Sequence, residues 1–473
     1  MSSSGNKFTY LVVSPPHVRR RNDEIEKIEL KKYLNRQDGI KKQINHPSYG
    51  DVCVAYKPPK TMLLPADTLV ARTKFYAIPG ALECGYSQSI NWTAEGMLNA
   101  EIHRKISIYV LARLKLAGAC IGISHSRSFK VKNFYQCIEA SEKATISFII
   151  GGFFCYQSAT NWLNSRHEQI KLFIHAGLAD KASLSLKRKK GKKTTPDYLI
   201  ETTQGKWHVF ESKGGESSSR WQRIEEGIAQ LESVTRVGWK GQKNQPISTF
   251  VCTHTSIDSG KEIAVNVVDP LPGHSRSIIL NRAVSVLLTK ASLIDLFDVL
   301  AEDESNAVFS IPGMQGWKFI NAPLYDHVQL GIPEKYSALK DVLRIGVGQY
   351  LALKEIIDDA LMEDDEMPTP EAVEKRLSDL SIKPDDVRNA MTLIAPLLHK
   401  KRAYEDILHL FSEKLKLPEL ADKFCQEDER LEKALSESVR KHRSPWGGLV
   451  REAPAPGHDD PWEKKQRQNK MKP

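Results

Sequence analysis

No stretch of this chain is long and apolar enough to span a bilayer. Its most apolar run, ISFIIGGFFCY (Ile146 to Tyr156), falls well short of the roughly 20 residues a spanning helix needs, so it reads as a buried helix or strand. The opening, MSSSGNKFTYLVVSPP, has no basic stretch leading into a long apolar core. No signal peptide is legible there, and a cytoplasmic protein with no membrane partner is expected. The seven cysteines are dispersed, without paired spacing, and read as free thiols in a reducing compartment. Cys252 and His254 are near enough in sequence to touch, but no second Cys/His cluster completes a zinc site. There is no GxxxxGK[ST] loop, which argues against a built-in ATPase or helicase motor, and neither HExxH nor GxSxG occurs. No internal repeat is visible.

What is present is 473 residues, enough for two or three domains. Apolar residues make up 41%, sufficient for packed interiors. The 68 basic and 58 acidic side chains leave a net charge of +10. Such a balance permits contact with nucleic acid or an anionic surface without choosing between them.

Residues 1–150 mix short apolar runs with proline and glycine and read as an α+β region. Tyr10 to Val13 and Asp51 to Tyr56 look like strands, and Glu24 to Leu34 like a helix. Ala100 to Ala117 is a stronger helix, with Ile102, Ile106, Val110, Leu114 and Ala117 on one face. Residues 160–272 carry the clearest alternation of elements. A helix is expected over Trp162 to Ala176, then strands DYLIET and WHVFESK joined by a turn at Gln204-Gly205, with Gly214-Gly215 ending the second. A helix over Arg220 to Val237 and strands Ile247 to Thr253 and Ile263 to Val268 follow. That order suits one sheet with helices packed on it. Leu271-Pro272 marks a domain edge. Residues 278–442 read as mostly helical: Ile278 to Leu288, Leu293 to Ala301, Ala338 to Met362, Pro370 to Leu380 and Ala390 to Leu417, with Pro396 kinking the last or marking its start. Glu427 to His442 reads as a solvated charged helix, and residues 443–473 as a flexible basic tail.

Chemistry concentrates at three positions. Asp197 opens one strand, and Glu211 and Lys213 lie near the end of the next. Residues i and i+2 of a strand share a face, so Glu211 and Lys213 enter one cleft while the Ser212 side chain faces away. A tight connection through Gly205 brings Asp197 against them. Two carboxylates suit a hard cation such as Mg²⁺, with water and substrate phosphate completing the shell. Lys213 is placed to hold the attacking water or to stabilise charge developing on phosphorus. The Ser212 carbonyl is a further candidate ligand. The bland alternative is a surface Glu–Lys pair on an edge strand, with Asp197 a turn former after proline.

Pro196-Asp197 followed by Glu211-Ser212-Lys213 resembles the PD-(D/E)xK signature of restriction-endonuclease-like nucleases. The resemblance covers residues 160–272 and implies an α/β core with a mixed central sheet. It implies that Asp197 and Glu211 bind the metal, Mg²⁺ with Mn²⁺ able to substitute, and that Lys213 serves the hydrolytic water. Many members carry a glutamate on the helix before the first motif strand, for which Glu168 in RHEQI is the best match. Many also carry a polar residue on the helix after the lysine, for which Gln230 is the first choice and Gln222 the second.

Lys187 to Lys193, KRKKGKK, stands just before Asp197, either tracking phosphates or simply solvated. Arg220 and Arg223 either reach phosphate or pair with Glu225 and Glu226. Gly214-Gly215 either admits a substrate backbone or lets the chain leave the strand. His125 and Arg127 are a weaker phosphate candidate, and His167 and His175 read as ordinary helix histidines. The expected activity is a Mg²⁺-dependent endonuclease on DNA, double-stranded, with RNA as the open alternative. It fits a restriction, transposition or anti-phage defence system, with a homodimer or a partner protein supplying targeting or ATPase activity. The rival is a non-cleaving nucleic-acid-binding or scaffold protein that retains the fold.

Overall fold

A computed structural model describes residues 7–14, 41–46, 50–56, 60–63, 80–123, 129–164, 166–185, 195–231, 233–268, 276–302, 307–321, 328–363, 367–379, 384–399, 403–452 and 462. The expected helix Glu24 to Leu34, the lysine-rich segment Lys187 to Lys193, His125 with Arg127, and the edge at Leu271-Pro272 lie outside them.

Four N-terminal strands come first: β1 (Lys7–Ser14), β2 (Lys41–His46), β3 (Gly50–Tyr56) and β4 (Lys60–Leu63). Helices α1 (Ala81–Gln88), α2 (Ala94–Leu98) and α3 (Ala100–Ala119) follow. The Asn99 side chain caps α3 by accepting from the Glu101 and Ile102 amides, and Val110, Leu114 and Ala117 supply its buried stripe. A short hairpin, β5 (Ile121–Ile123) and β6 (Phe129–Val131), leads to α4 (Ala140–Asn164), where the run Ile146 to Tyr156 forms a buried helix.

The expected helix over Trp162 to Ala176 is corrected. α4 ends at Asn164, the chain turns through His167 at φ 58°, and β7 (Ile170–His175) begins. Leu172, Phe173 and Ile174 are all buried, so this strand is covered on both faces and lacks the alternation that marks a half-buried one. After α5 (Ala176–Ala182) come β8 (Tyr198–Thr202), β9 (Trp207–Gly215) and α6 (Arg220–Leu231). The helix expected to run on to Val237 stops at Leu231, and the β-branched stretch beyond it forms β10 (Val234–Trp239). β11 (Gln245–Ser256), β12 (Ala264–Val268) and β13 (Arg276–Leu280) follow. β13 occupies part of the helix expected from Ile278. Asn281 then accepts the Val284 amide and caps a single helix, α7 (Arg282–Ala301).

β14 (Trp317–Asn321) and β15 (Val328–Pro333) precede the long α8 (Glu334–Glu363) and α9 (Pro370–Asp379). The expected helix Ala390 to Leu417 is divided among α10 (Pro384–His399, with Pro396 inside), α11 (Tyr404–Lys414) and α12 (Leu417–Ala434). Glu427 is buried, paired with Lys335 and Arg430 rather than solvated. α13 (Glu437–Arg440) and β16 (Leu449–Glu452) complete the described elements. Residues 443–452 are therefore not part of a loose tail. Trp446, Leu449 and Val450 are buried, β16 pairs with β15, and the Lys290 ammonium holds the Trp446 carbonyl at 2.6 Å. Trp462 is also buried, against Phe319 and His442. The apolar residues of this stretch outweigh its basic ones.

The central sheet is mixed, in the order β2-β3-β1-β12-β11-β9-β8-β7. β1–β12, β9–β11 and β10–β13 pair in parallel, while β7–β8, β8–β9 and β11–β12 pair antiparallel. The expectation of an α/β chain with a mixed sheet and a helical C-terminal region holds at that level. β1 lies beside β12, so the N-terminal strands share the sheet that carries Glu211 and Lys213. α4 packs on one face of β9 and β11 and α6 on the other. One apolar cluster runs from Ala81 to Val450, and a smaller one gathers Ile311, Trp317, Phe319 and Trp462. Among the described residues, no helix is long and apolar enough to cross a membrane.

Candidate active site

β8 and β9 form a hairpin, with Tyr198 opposite Phe210 and Glu201 opposite Trp207. Its turn includes Gly205 at φ 75°, a conformation that glycine adopts without strain. This register sets Asp197, one residue before β8, beside Glu211. Their link runs through backbone as well as side chain. The Asp197 amide donates to Glu211 Oε2 at 3.0 Å, and the Ser212 amide donates to Asp197 Oδ2 at 2.9 Å. Lys213 Nζ lies 2.7 Å from Glu211 Oε1 and also donates to Gln230 Oε1 on α6. Four sequence candidates, Asp197, Glu211, Lys213 and Gln230, thus form one cluster.

The electrostatics of the cluster are strained. Glu211 is wholly buried, and burial together with the Asp197 charge pushes its carboxyl up to about 8. Burial raises Asp197 as well, against the Ser212 amide and the Lys213 charge that pull it down. For Lys213, burial works against the charged form, but Glu211 beside it outweighs this and holds its pKa above the ordinary value. Two carboxylates therefore share a site that one ammonium does not fully neutralise.

Helices on the two faces of the sheet close tightly over β9. A side chain at Gly227 of α6 would meet Cys252 Sγ at 2.5 Å, Glu211 Cγ at 3.1 Å and Lys213 Cε at 3.4 Å. Gly227 is thus what lets α6 lie directly over the acidic pair. On the other face, a side chain at Gly214 would strike the Ser147 carbonyl of α4 at 2.1 Å. The Gly214-Gly215 pair stays within β9, and the backbone that approaches Gly214 is the protein's own helix. The Ser212 side chain faces α4 at Gly151, away from Glu211, as its place in the strand predicts. His254 stands in register with Lys213 on β11. It is wholly buried, and burial lowers its pKa to about 4, so it is neutral at pH 7. Neither Gly227 nor His254 was singled out for the site from sequence. The visible signal for Gly227 is a glycine, costly in a helix, inside the otherwise regular RWQRIEEGIAQL.

Glu168 is placed elsewhere. It follows the end of α4 and is not on a helix; it pairs with Lys206 Nζ at 2.7 Å and His208 Nε2 at 2.8 Å. His208 and Glu211 differ by three positions along β9 and so face opposite sides of the sheet. The sheet stands between Glu168 and the cluster. Gln222 is exposed and bonds Glu226, as does Arg223. His175 accepts the Gly177 amide at the start of α5, and burial takes its pKa to about 4. His167 sits in the turn before β7, its carbonyl accepting from Gln204.

Among the described residues, no group of three or more His, Cys, Asp or Glu side chains is gathered to hold a metal. The pair Asp197 and Glu211 is smaller than such a group. Two hard oxygen donors that one ammonium does not neutralise once both are ionised fit Mg²⁺, which uses one or two carboxylates and keeps several waters. Within an extended strand the N–H and C=O of one residue leave on the same edge. The Ser212 carbonyl therefore leaves β9 on the edge where its amide meets Asp197. Comparison with protein-family models, curated proteins and solved structures finds no match for this chain.

Proposed function

We propose that this chain is a divalent-metal-dependent phosphodiesterase acting on nucleic acid, DNA first, with a catalytic core of the restriction-endonuclease kind. The observation that carries the proposal is the convergence of Asp197, Glu211 and Lys213, with a buried Glu211 carboxyl pushed up to about 8. Shifts of that size in a cluster of mixed charge are characteristic of functional sites. The mixed sheet, and a helix on either face of β9, further support the resemblance carried by Pro196-Asp197 and Glu211-Ser212-Lys213.

Asp197 and Glu211 are the metal-holding carboxylates, and the Ser212 carbonyl is a third oxygen on the same edge. When bound, Mg²⁺ supplies positive charge to polarise a phosphoryl oxygen and acidify water. Lys213 keeps an ammonium at the cleft, where it orients water or faces the charge building on phosphorus. Gln230 fixes the Lys213 ammonium from α6, and Gly227 sets the height of that helix. Asp197 is itself fixed by the Ser212 amide, so the acidic pair is held before substrate arrives. Glu168 has no part in this chemistry.

A second reading is a nucleic-acid-binding protein of the same architecture that does not cut. The Lys213 ammonium favours it to the extent that Glu211 and Gln230 already occupy it. The test is hydrolysis of a panel of supercoiled DNA, linear duplex, single-stranded DNA and RNA in Mg²⁺, Mn²⁺ or EDTA. Metal-dependent products on any member support the phosphodiesterase. Salt-sensitive binding with no products on all members supports the second reading.

A further inference from the structure

We propose that His254 and Asn266 form the floor of a second phosphate subsite beside Lys213, which holds a phosphodiester next to the one being cut. This deepens the phosphodiesterase reading and rests on it for the identity of the cleft.

β11 lies between β9 and β12 in the sheet. Its residue His254 is paired with Lys213 on one side and with Asn266 on the other. Paired residues on neighbouring strands share a face, so Lys213, His254 and Asn266 form one row, in steps of about 4.8 Å. The row faces α6. Cys252, two residues before His254 and so on its face, lies against Gly227 together with Glu211 and Lys213. The Ile224 carbonyl of α6 is 3.8 Å from Cys252 Sγ, and Arg220, four residues earlier, follows on the same side of the helix. The strongest charge acting on His254 is accordingly that of Arg220. His254 is wholly buried and Asn266 is 4% exposed. Among the described residues, His254 Nε2 and Asn266 Nδ2 have no hydrogen-bond partner. Buried polar atoms are nearly always paired. Unpaired ones occur elsewhere in the chain, but these two share a row with Lys213.

The Ser256 hydroxyl, 3.5 Å from His254 Nδ1, is placed to donate to it, which leaves the ring proton on Nε2. His254 Nε2 and Asn266 Nδ2 are then two donors without acceptors. Phosphate oxygens accept, and their charge strengthens each bond they take. Burial, and after it the Arg220 charge, keep His254 neutral, so the row itself holds phosphate by hydrogen bonds alone. Positive charge comes from Arg220 and from Arg223, which is shared with Glu226, while Asp258, holding the Ser217 amide, opposes them. Glu211 is wholly buried as well, beneath the same helix. A metal and a phosphate that reach Glu211 displace what covers it, and displacing α6 uncovers His254 too. The partners that the two donors lack in the closed form arrive with the substrate.

The test uses the full chain in EDTA, where no metal-dependent cutting occurs. The probes are DNA single strands and duplexes of one sequence, intact or with one phosphate at a time replaced by an uncharged methylphosphonate. Wild type is expected to bind the intact DNA and to lose affinity when one particular phosphate is replaced. His254→Phe and Asn266→Leu should each bind intact DNA about tenfold more weakly, the loss of one hydrogen bond to a charged group, and should no longer sense that replacement. Removing an unpaired buried polar atom is neutral or stabilising, so both variants should melt at or above the wild-type temperature. A merely structural row would give the opposite, a lower melting temperature in either variant, and that result overturns the proposal. So do wild-type affinity in either variant, no binding of any DNA by wild type, or a wild type indifferent to every replacement. Cleavage of the same DNA in Mg²⁺ is read separately. No cleavage with His254- and Asn266-dependent binding refutes the phosphodiesterase and keeps the phosphate subsite. Cleavage with binding independent of both residues does the reverse.

Discussion

Gly227→Ala tests whether α6 sets the geometry of the acidic pair. The added methyl would stand 2.5 Å from Cys252 Sγ and 3.1 Å from Glu211 Cγ. Neither neighbour can retreat freely, since both are wholly buried and paired with each other across β9 and β11. Overpacking of this kind costs about 1–3 kcal/mol. Alanine returns about 1 kcal/mol through its higher helix propensity. The net expectation is a loss of roughly 0–2 kcal/mol in stability. The effect on cleavage should be larger in proportion, because the helix relieves the clash only by lifting, and it carries Gln230 off Lys213. With misplacement by 1 Å able to cost about a hundredfold, a shift of a few tenths of an ångström should lower kcat/KM by about tenfold. Thermal melting and cleavage rates are measured together. A variant that melts higher than wild type and cuts at the wild-type rate would refute the role given to Gly227.

The Glu211 shift has a definite pH signature. Its folded pKa is raised to about 8 from 4.5, so its contribution to stability is complete below 4.5 and is lost as pH rises through 8. Metal-free protein should therefore melt lower at pH 9 than at pH 6, Mg²⁺ should reverse the fall, and Glu211→Gln should flatten it; a metal-free melting temperature that rises over that range contradicts the assignment. Glu168→Gln should weaken the buried contact with His208, whose imidazole burial holds toward the neutral form, costing about 1–3 kcal/mol in a melt, while cleavage by the folded protein persists because the pair lies across the sheet from the cleft. Trp446→Ala should cost about 3–5 kcal/mol and expose residues 443–452 to limited proteolysis, an outcome a loose tail would not give.

The clustering of Asp197, Glu211, Lys213 and Gln230 was more legible in the sequence than the fold around it. Glu211 and Lys213 are two apart in a strand, and a Gln-Gly turn returns the chain to Asp197; local geometry alone joins them. Gln230 was reachable for the same reason, lying on the next helix and on the face toward the sheet. Glu168 was misplaced with its element. IKLFIH is apolar without alternation, and following NWLNS it continues a helical spacing until the turn at His167. β10 and β13 were absorbed into neighbouring helices, since short apolar runs do not distinguish a buried strand from a helix turn. The parallel pairing of β1 with β12 joins residues about 250 positions apart, a contact that no local pattern encodes. The close approaches at Gly214 and Gly227 depend on which backbone lies opposite, and that is set by the tertiary packing.

The central claim is that Asp197, Glu211 and Lys213 together cut phosphodiester bonds with a divalent metal. The most direct measurement is the nicking of supercoiled DNA in Mg²⁺ or Mn²⁺ by wild type, Asp197→Ala and Lys213→Ala, with folding of each checked by circular dichroism. Nicking by wild type that EDTA abolishes and both folded variants lose is the predicted result. Undiminished nicking by folded Asp197→Ala protein would contradict it.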